Sequence, residues 1–356
     1  MSRTLTTLRR PAAALVALLM ALAALTACSD AGANGDDDQV VIGFAVPVLS
    51  NPYWKANVDF AQDIAEQLDV ELAVVDAGEK EDAQLKNIQD LISRGVDGIV
   101  FGPITAEVGP ALLAACEQAG IPCAAMARKP SVEPDEGNAD HYAGYVVADD
   151  HGDGVAAAQA LADSGVTKAV AMSGLQGNSV ADGRLDGFLE AAEELDIDVV
   201  STYRPVELPE DGLSATKNFL AEHPGPGFDG VFAFNDSSAL GAIEALEDAG
   251  AAGDVRVATI DGTADGVRAV EAGQLEITLG GEFVNGGFAT VMVFDAINGN
   301  PWEERGVVLN VLPVTPDNAA AYRAKYVDTV PAYDAKQLSR THNPDATLDG
   351  FQITLD

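Results

Sequence analysis

The stretch "DGIVFGPITAEVGPALLAACEQAGIPCAAMAR", residues 97–128, holds the pattern that decides the fold. A short unbroken apolar run opens it, an amphipathic segment ending at Gly120 follows, and a second apolar run closes it. Strands that are apolar at every position are covered on both faces, and parallel strands need a crossover such as a helix between them. The order returns in "DGVFAFNDSSALGAIEALEDAGAAGDVRVATIDG", residues 229–262. Two echoes of one strand–helix–strand unit point to two similar open-sheet lobes, with a ligand crevice between them at the carboxyl ends of the strands.

The rhythm extends outward from both copies. Towards the N-terminus, "VVIGFAV" (40–46) reads as a strand, "NPYWKANVDFAQDIAEQL" (51–68) as a helix, "VELAVVDA" (70–77) as a strand and "DAQLKNIQDLISRG" (82–95) as a helix. Between the copies, "HGDGVAAAQALADSG" (151–165), "KAVAMSG" (168–174), "ADGRLDGFLEAAEEL" (181–195) and "DIDVVSTY" (196–203) continue the alternation. The fold class is therefore α/β, with parallel sheets covered on both faces. Roughly 315 residues take part, more than one hydrophobic core usually holds, so two domains are expected. From Tyr322 to Phe351 the alternation is lost, and an extended tail over the surface is expected there.

Residues 1–27 read as an export signal, with Arg3, Arg9 and Arg10 ahead of the apolar core "AAALVALLMALAAL". That core is too short to favour a membrane-spanning helix. It ends in "LTAC", Leu25 to Cys28, which resembles the lipobox of bacterial lipoproteins and implies cleavage before Cys28 and lipidation of Cys28. The small, polar and acidic residues that follow suit a flexible tether over 28–38.

The chain carries 56 acidic against 20 basic side chains, a formal charge of −36, and loss of the signal would remove three arginines and no acid. Such a surface repels phosphate backbones, which excludes nucleic acid as a partner. Besides Cys28 only Cys116 and Cys123 remain, open to pairing as a disulfide or to burial as two thiols. The histidines at 141, 151, 223 and 342 are scattered and give no zinc spacing. Neither a nucleophile elbow, a Walker loop nor a complete dinucleotide fingerprint is present, and "HGDG" (151–154) reads as a helix start. No catalytic residue, metal site or cofactor is expected, and the chain is not read as an enzyme.

In combination, "SNPYW" (50–54), "QDLISRGVDGIVFGP" (89–103), "AGIPCAAMAR" (119–128), "GRLDGF" (183–188), "VFAFNDSSALGAIEAL" (231–246) and "VATIDG" (257–262) resemble the type I periplasmic binding proteins, in particular the ribose-binding-like sugar receptors of ABC importers. The resemblance covers about Val40 to Pro316. It implies two Rossmann-like lobes joined by a three-crossover hinge and closing on a ligand. The expected division is 39–147 plus 282–312 for the N-terminal lobe, 148–281 plus 313–325 for the C-terminal lobe, and 326–356 for the tail.

The family stacks aromatics on the apolar face of a sugar and bonds its hydroxyls with Asp, Asn and Arg, as a polyhydroxyl ligand requires when every buried OH needs a partner. By resemblance the ligand-binding positions are Asn51, Tyr53, Trp54, Arg128, Asn235 and Asp261. Asn51 and Pro52 are also ordinary helix starters, and Tyr53 and Trp54 stand at helical spacing with apolar residues further along. Three departures are evident. Ala127 stands where sugar binders have Asp, Asp182 where the ribose pattern has a ligand-binding arginine, and Gly281 or Glu282 where an amide is usual, while Arg184 fits a position more often structural. Asp182 and Glu282 join the candidate set, and another sugar, a polyol or an amine-bearing molecule is expected in place of ribose.

The functional expectation is a monomeric, lipid-anchored receptor on the outer face of the cell membrane that passes a small hydrophilic ligand to an ABC permease and its ATPase. The alternative is a receptor presenting a sugar or amine-bearing molecule to a sensor kinase or chemoreceptor. A lactose-repressor-type regulator would need a helix-turn-helix headpiece where the export signal stands.

Overall fold

The computed structural model describes residues 39–135, 140–225 and 227–355. The export signal, Cys28 and the tether lie outside the described residues. The chain begins with β1 (Val41–Val46), α1 (Pro52–Gln67), β2 (Glu71–Asp76), α2 (Glu81–Arg94), β3 (Gly98–Phe101), α3 (Gly109–Ala119), β4 (Cys123–Ala127) and β5 (Tyr142–Ala148). It continues with α4 (Asp150–Asp163), β6 (Lys168–Met172), α5 (Ser179–Glu194), β7 (Asp198–Tyr203), α6 (Pro209–Glu222), β8 (Gly230–Ala233), α7 (Asp236–Asp248), β9 (Arg256–Asp261), α8 (Ala264–Glu271) and β10 (Ile277–Gly280). A 3₁₀ turn at Glu282–Val284 leads to α9 (Asn285–Ile297), β11 (Gly306–Leu309) and β12 (Leu312–Val314).

Two six-stranded sheets result, ordered β11-β5-β4-β3-β1-β2 and β12-β10-β9-β8-β6-β7. The two orders are the same topology written twice, each with its first two strands at one edge. The echoed segments become β3-α3-β4 and β8-α7-β9, which hold equivalent places in the two sheets. Central strands such as β3, β4 and β8 are buried at every residue, as their unbroken apolar runs require, whereas the edge strands β2 and β7 are only half-buried. The chain passes between the lobes after β5, through the turn before α9, and between β11 and β12.

The second sheet is not wholly parallel, because β12 runs antiparallel to β10. The chain reaches β12 from β11 of the other sheet through only Asn310 and Val311, and β12 then closes the edge beside β10. The tail also departs from an extended course over the surface. The short α10 (Ala319–Tyr322) precedes it, α11 (Ala335–Leu338) interrupts it, and Ala335, Leu338, Phe351 and Ile353 are buried. Phe351 stacks on Phe288 of α9 at 4.7 Å, and Tyr333 meets Phe60 of α1 edge-on at 5.4 Å. The buried Asp295 of α9 accepts from Ser339 Oγ at 2.6 Å, from the Arg340 and Thr341 amides at 2.8 and 2.9 Å, and from Trp302 Nε1 at 3.0 Å. These apolar anchors are pairs too few and too scattered to sustain a strand or helix period, so periodicity alone could not reveal them. Cys116 and Cys123 are both free and buried, and a thiol–thiol hydrogen bond followed by burial pushes the Cys123 thiol up.

Candidate ligand-binding site

Where the carboxyl ends of both sheets face each other, side chains from the two lobes wall a single cavity. Asn51, Trp54 and Arg128 come from the loops and helix after β1 and β4; Asn178, Asn235 and Asp261 come from the ends of β6, β8 and β9; Glu282 and Asn285 come from the second crossover. This is the crevice that open parallel sheets offer for ligands. About 50 Å³ of it is open to the centres of water-sized molecules, space for several waters or for one small, closely held solute.

One wall is aromatic. Asn51 caps α1 by accepting the Tyr53 amide at 2.9 Å, and Pro52 occupies the first turn, where a missing N–H costs nothing. The cap sets Tyr53 and Trp54 on the first turn, leaning to the cavity. Trp54 is buried against Gly102, where a Cβ would meet the indole Cη2 at 2.7 Å, so the tryptophan needs the glycine. Tyr53 stands edge-on to it, centroids 5.1 Å apart, and the Arg128 guanidinium lies 5.4 Å over the Trp54 ring. Asn285 Nδ2 donates to the Tyr53 hydroxyl at 2.9 Å, and Asn57 Nδ2 donates to Asn285 Oδ1 at 2.6 Å.

The opposite wall is built on Arg184. Its Nε donates to Asp150 Oδ1 at 3.0 Å, its Nη1 to Asp261 Oδ1 at 3.0 Å and to the Phe234 carbonyl at 2.8 Å, and its Nη2 lies 3.3 Å from Glu282 Oε1. Burial alone would lower the guanidinium pKa, but Asp150, Asp261 and Glu282 together raise it. Burial pushes the Asp150 carboxyl up to about 6 against the pull of Arg184, and holds Glu282 well above the usual carboxylate range. Behind them Asp236 accepts from the Thr263 amide at 2.8 Å and from Thr278 Oγ1 at 2.7 Å, and burial with the nearby Asp261 charge pushes it up to about 7.

Of the positions singled out in the sequence, Asn51, Tyr53, Trp54, Arg128, Asn235, Asp261 and Glu282 line this cavity together. Asn235 also caps α7, accepting the Ser238 amide at 2.8 Å while its Nδ2 donates to the Glu207 carbonyl at 3.1 Å. Asp182 does not line the cavity: it pairs with Arg204 and accepts the Gly177 amide at 2.9 Å. Two residues along a helix turn a side chain by about 200°, so with Arg184 facing inward Asp182 faces away. Arg184, Asp150, Asn178, Glu79, Glu207 and Asn285 are among the lining residues that sequence reasoning missed. A signal for Arg184 was present in the glycines around it. A Cβ on Gly154 would meet the Arg184 carbonyl at 2.1 Å and one on Gly187 the His151 carbonyl at 2.0 Å, so α4 and α5 close together only with glycine there, and that contact sets Arg184 beside Asp150.

Three non-glycine residues of the cavity wall have positive φ: Glu79 at 57°, Ala127 at 60° and Asp261 at 125°. Ala127 and Asp261 end β4 and β9, equivalent strands of the two sheets. Each such conformation costs roughly 1–3 kcal/mol and concentrates at sites where the backbone is held for a purpose.

The family profile described as periplasmic binding protein domain matches residues 42–301. Ribose import binding protein RbsB of Salmonella typhimurium is 30% identical over 272 residues, covering 74% of this chain and 86% of the relative. Xylitol-binding protein of Mycolicibacterium smegmatis is 30% identical over 253 residues, covering 70% of this chain and 69% of the relative. Among solved structures, an ABC transporter solute binding protein from Bacillus halodurans with bound myo-inositol superposes with a TM-score of 0.72 at 27% identity, covering 82% of this chain and 99% of that one.

Proposed function

Since the chain belongs to the family of periplasmic binding protein domains, we propose that it is the sugar- or polyol-binding component of an ABC importer. It is a binding protein and not an enzyme. The observation that carries the reading is a single cavity that sets the Tyr53–Trp54 wall against a polar wall of Asn235, Asp261 and Arg184 from the other lobe. Apolar ring faces and hydroxyls demand this combination, because each buried hydroxyl left without a partner weakens binding. Relatives named for ribose and xylitol and a neighbour holding myo-inositol support polyhydroxyl chemistry. Ligand bound by both lobes would favour the closed arrangement over the open one, which supplies the signal a permease could read. The lipobox-like Leu25–Cys28 makes it an extracytoplasmic protein held by a lipid on Cys28.

Titration calorimetry of the purified protein with pentoses, hexoses, alditols, inositols and their aminated derivatives tests the reading. At least one compound should bind at micromolar concentration or tighter, and Tyr53→Ala should weaken it at least tenfold while the protein still melts cooperatively. Failure of every compound in the set to bind would overturn it.

A further inference from the structure

Glu282 is 1% exposed and lines the cavity, yet only Oε1 has a protein partner; Oε2 has none. A buried carboxylate oxygen with no donor is costly, and the two arginines of the wall are already engaged elsewhere. Arg184 already divides its guanidinium among Asp150, Asp261 and Glu282, one cation to three carboxylates. Arg128, the other cation of the wall, is committed to the Trp54 face, to the Ile104 carbonyl at 3.3 Å and to Glu79 at 3.8 Å. Positive charge is therefore short on the Glu282 side of the cavity.

Among the described residues no group of His, Cys, Asp and Glu is disposed to hold a metal ion, and the cation that suits Glu282 is an organic one. A primary ammonium is compact and carries three donors, enough to satisfy Glu282 Oε2 and still reach a neighbouring oxygen. We propose that the ligand is an aminated sugar or polyol, whose ammonium docks on Glu282 beside Asp150 while its ring lies on the Tyr53–Trp54 wall. This rests on the cavity being the site of sugar or polyol capture, and specifies which members of that class it selects.

Calorimetry at pH 6.5 with matched probes tests it: glucose with glucosamine and N-acetylglucosamine, galactose with galactosamine, and myo-inositol with an aminocyclitol. In at least one pair the free amine should bind tenfold or more tighter than its neutral partner, and the uncharged N-acetyl compound should behave as neutral. Glu282→Gln should remove at least tenfold of the amine's affinity and change the neutral partner's by less than threefold. Asp150→Asn should act in the same direction, which keeps the test usable if one variant folds poorly. Neutral probes binding as tightly as the amines, or an unchanged amine-to-neutral ratio in both variants, overturns the inference and leaves sugar capture standing, provided Tyr53→Ala weakens the neutral probe. Binding of neither kind overturns sugar capture itself, and this inference with it.

Discussion

The Tyr53 hydroxyl accepts a hydrogen bond from the Asn285 side chain at 2.9 Å across 232 residues of chain, and Asn285 is the first residue of the helix that follows the second crossover. The aromatic wall is thus tied to a segment where the chain crosses between the lobes. Tyr53→Phe removes this bond and leaves Asn285 only its contact with Asn57. The expected loss in stability is about 1 kcal/mol, with ligand affinity falling more than stability. Urea denaturation and calorimetry on the same preparation separate the two, and an unchanged affinity would count against Tyr53 as part of the site.

Trp54→Ala acts on packing as well as on recognition, because the ring is buried between Gly102 and Arg128. A loss of about 3–5 kcal/mol is expected from the lost burial and the cavity together. Its urea midpoint should fall well below that of Tyr53→Phe; equal midpoints would mean the indole is not packed as described.

Replacing Arg184 with Met leaves Asp150, Asp261 and Glu282 buried without their shared cation. At pH 7.5 the variant should be less stable by about 3–5 kcal/mol, since breaking a buried pair strands the remaining charges. At pH 5 part of the loss should return as those carboxyls take up protons. A deficit of equal size at both pH values argues that Arg184 acts only by packing.

The ligand-free protein should lose stability as pH rises from about 4 to about 7. Burial sets Asp150 at about 6 and Asp236 at about 7, above the ordinary carboxylate value. The folded state therefore holds protons that the unfolded state has released, so the stabilisation is complete below the unfolded pKa and is lost as pH climbs through the folded one. For Asp150 the shift corresponds to on the order of 3 kcal/mol. Melting temperatures at constant ionic strength should fall across this window, and Asp236→Asn should flatten the slope; a curve rising with pH would refute the assignment.

On the tail, Phe351→Ala removes a ring stacked on Phe288 and should cost about 3–5 kcal/mol. Asp295→Ala strands the Ser339 hydroxyl, the Arg340 and Thr341 amides and the Trp302 indole N–H, and should be comparably damaging. Limited proteolysis should then cut within residues 333–355 of either variant far faster than in the parent; resistance like the parent's would show the tail to be held by other contacts.

Much of the architecture was legible because it is repetitive. Unbroken apolar strands and capped amphipathic helices, as at Asn51–Pro52 and Asn235, announce themselves locally, and the echo of 97–128 in 229–262 announces the second lobe. What stayed hidden depends on distance or direction. Arg184 and Asp182 lie two residues apart, and only the contact of α4 with α5 through Gly154 and Gly187 decides which one faces the cavity. Asp150 gains its part from a partner 34 residues away. The antiparallel β12 and the anchored tail follow from tertiary pairing and packing, which leave no single period in the sequence.

The tail has a consequence for how the protein is made. β1 leaves the ribosome early, whereas residues 333–355, which cover Phe60 and Phe288, leave it nearly the whole described chain later. Until that segment arrives, the older lobe shows bare aromatic surface of the kind that chaperones and proteases recognise. A chain shortened before residue 333 lacks the Tyr333 and Phe351 rings that cover Phe60 and Phe288.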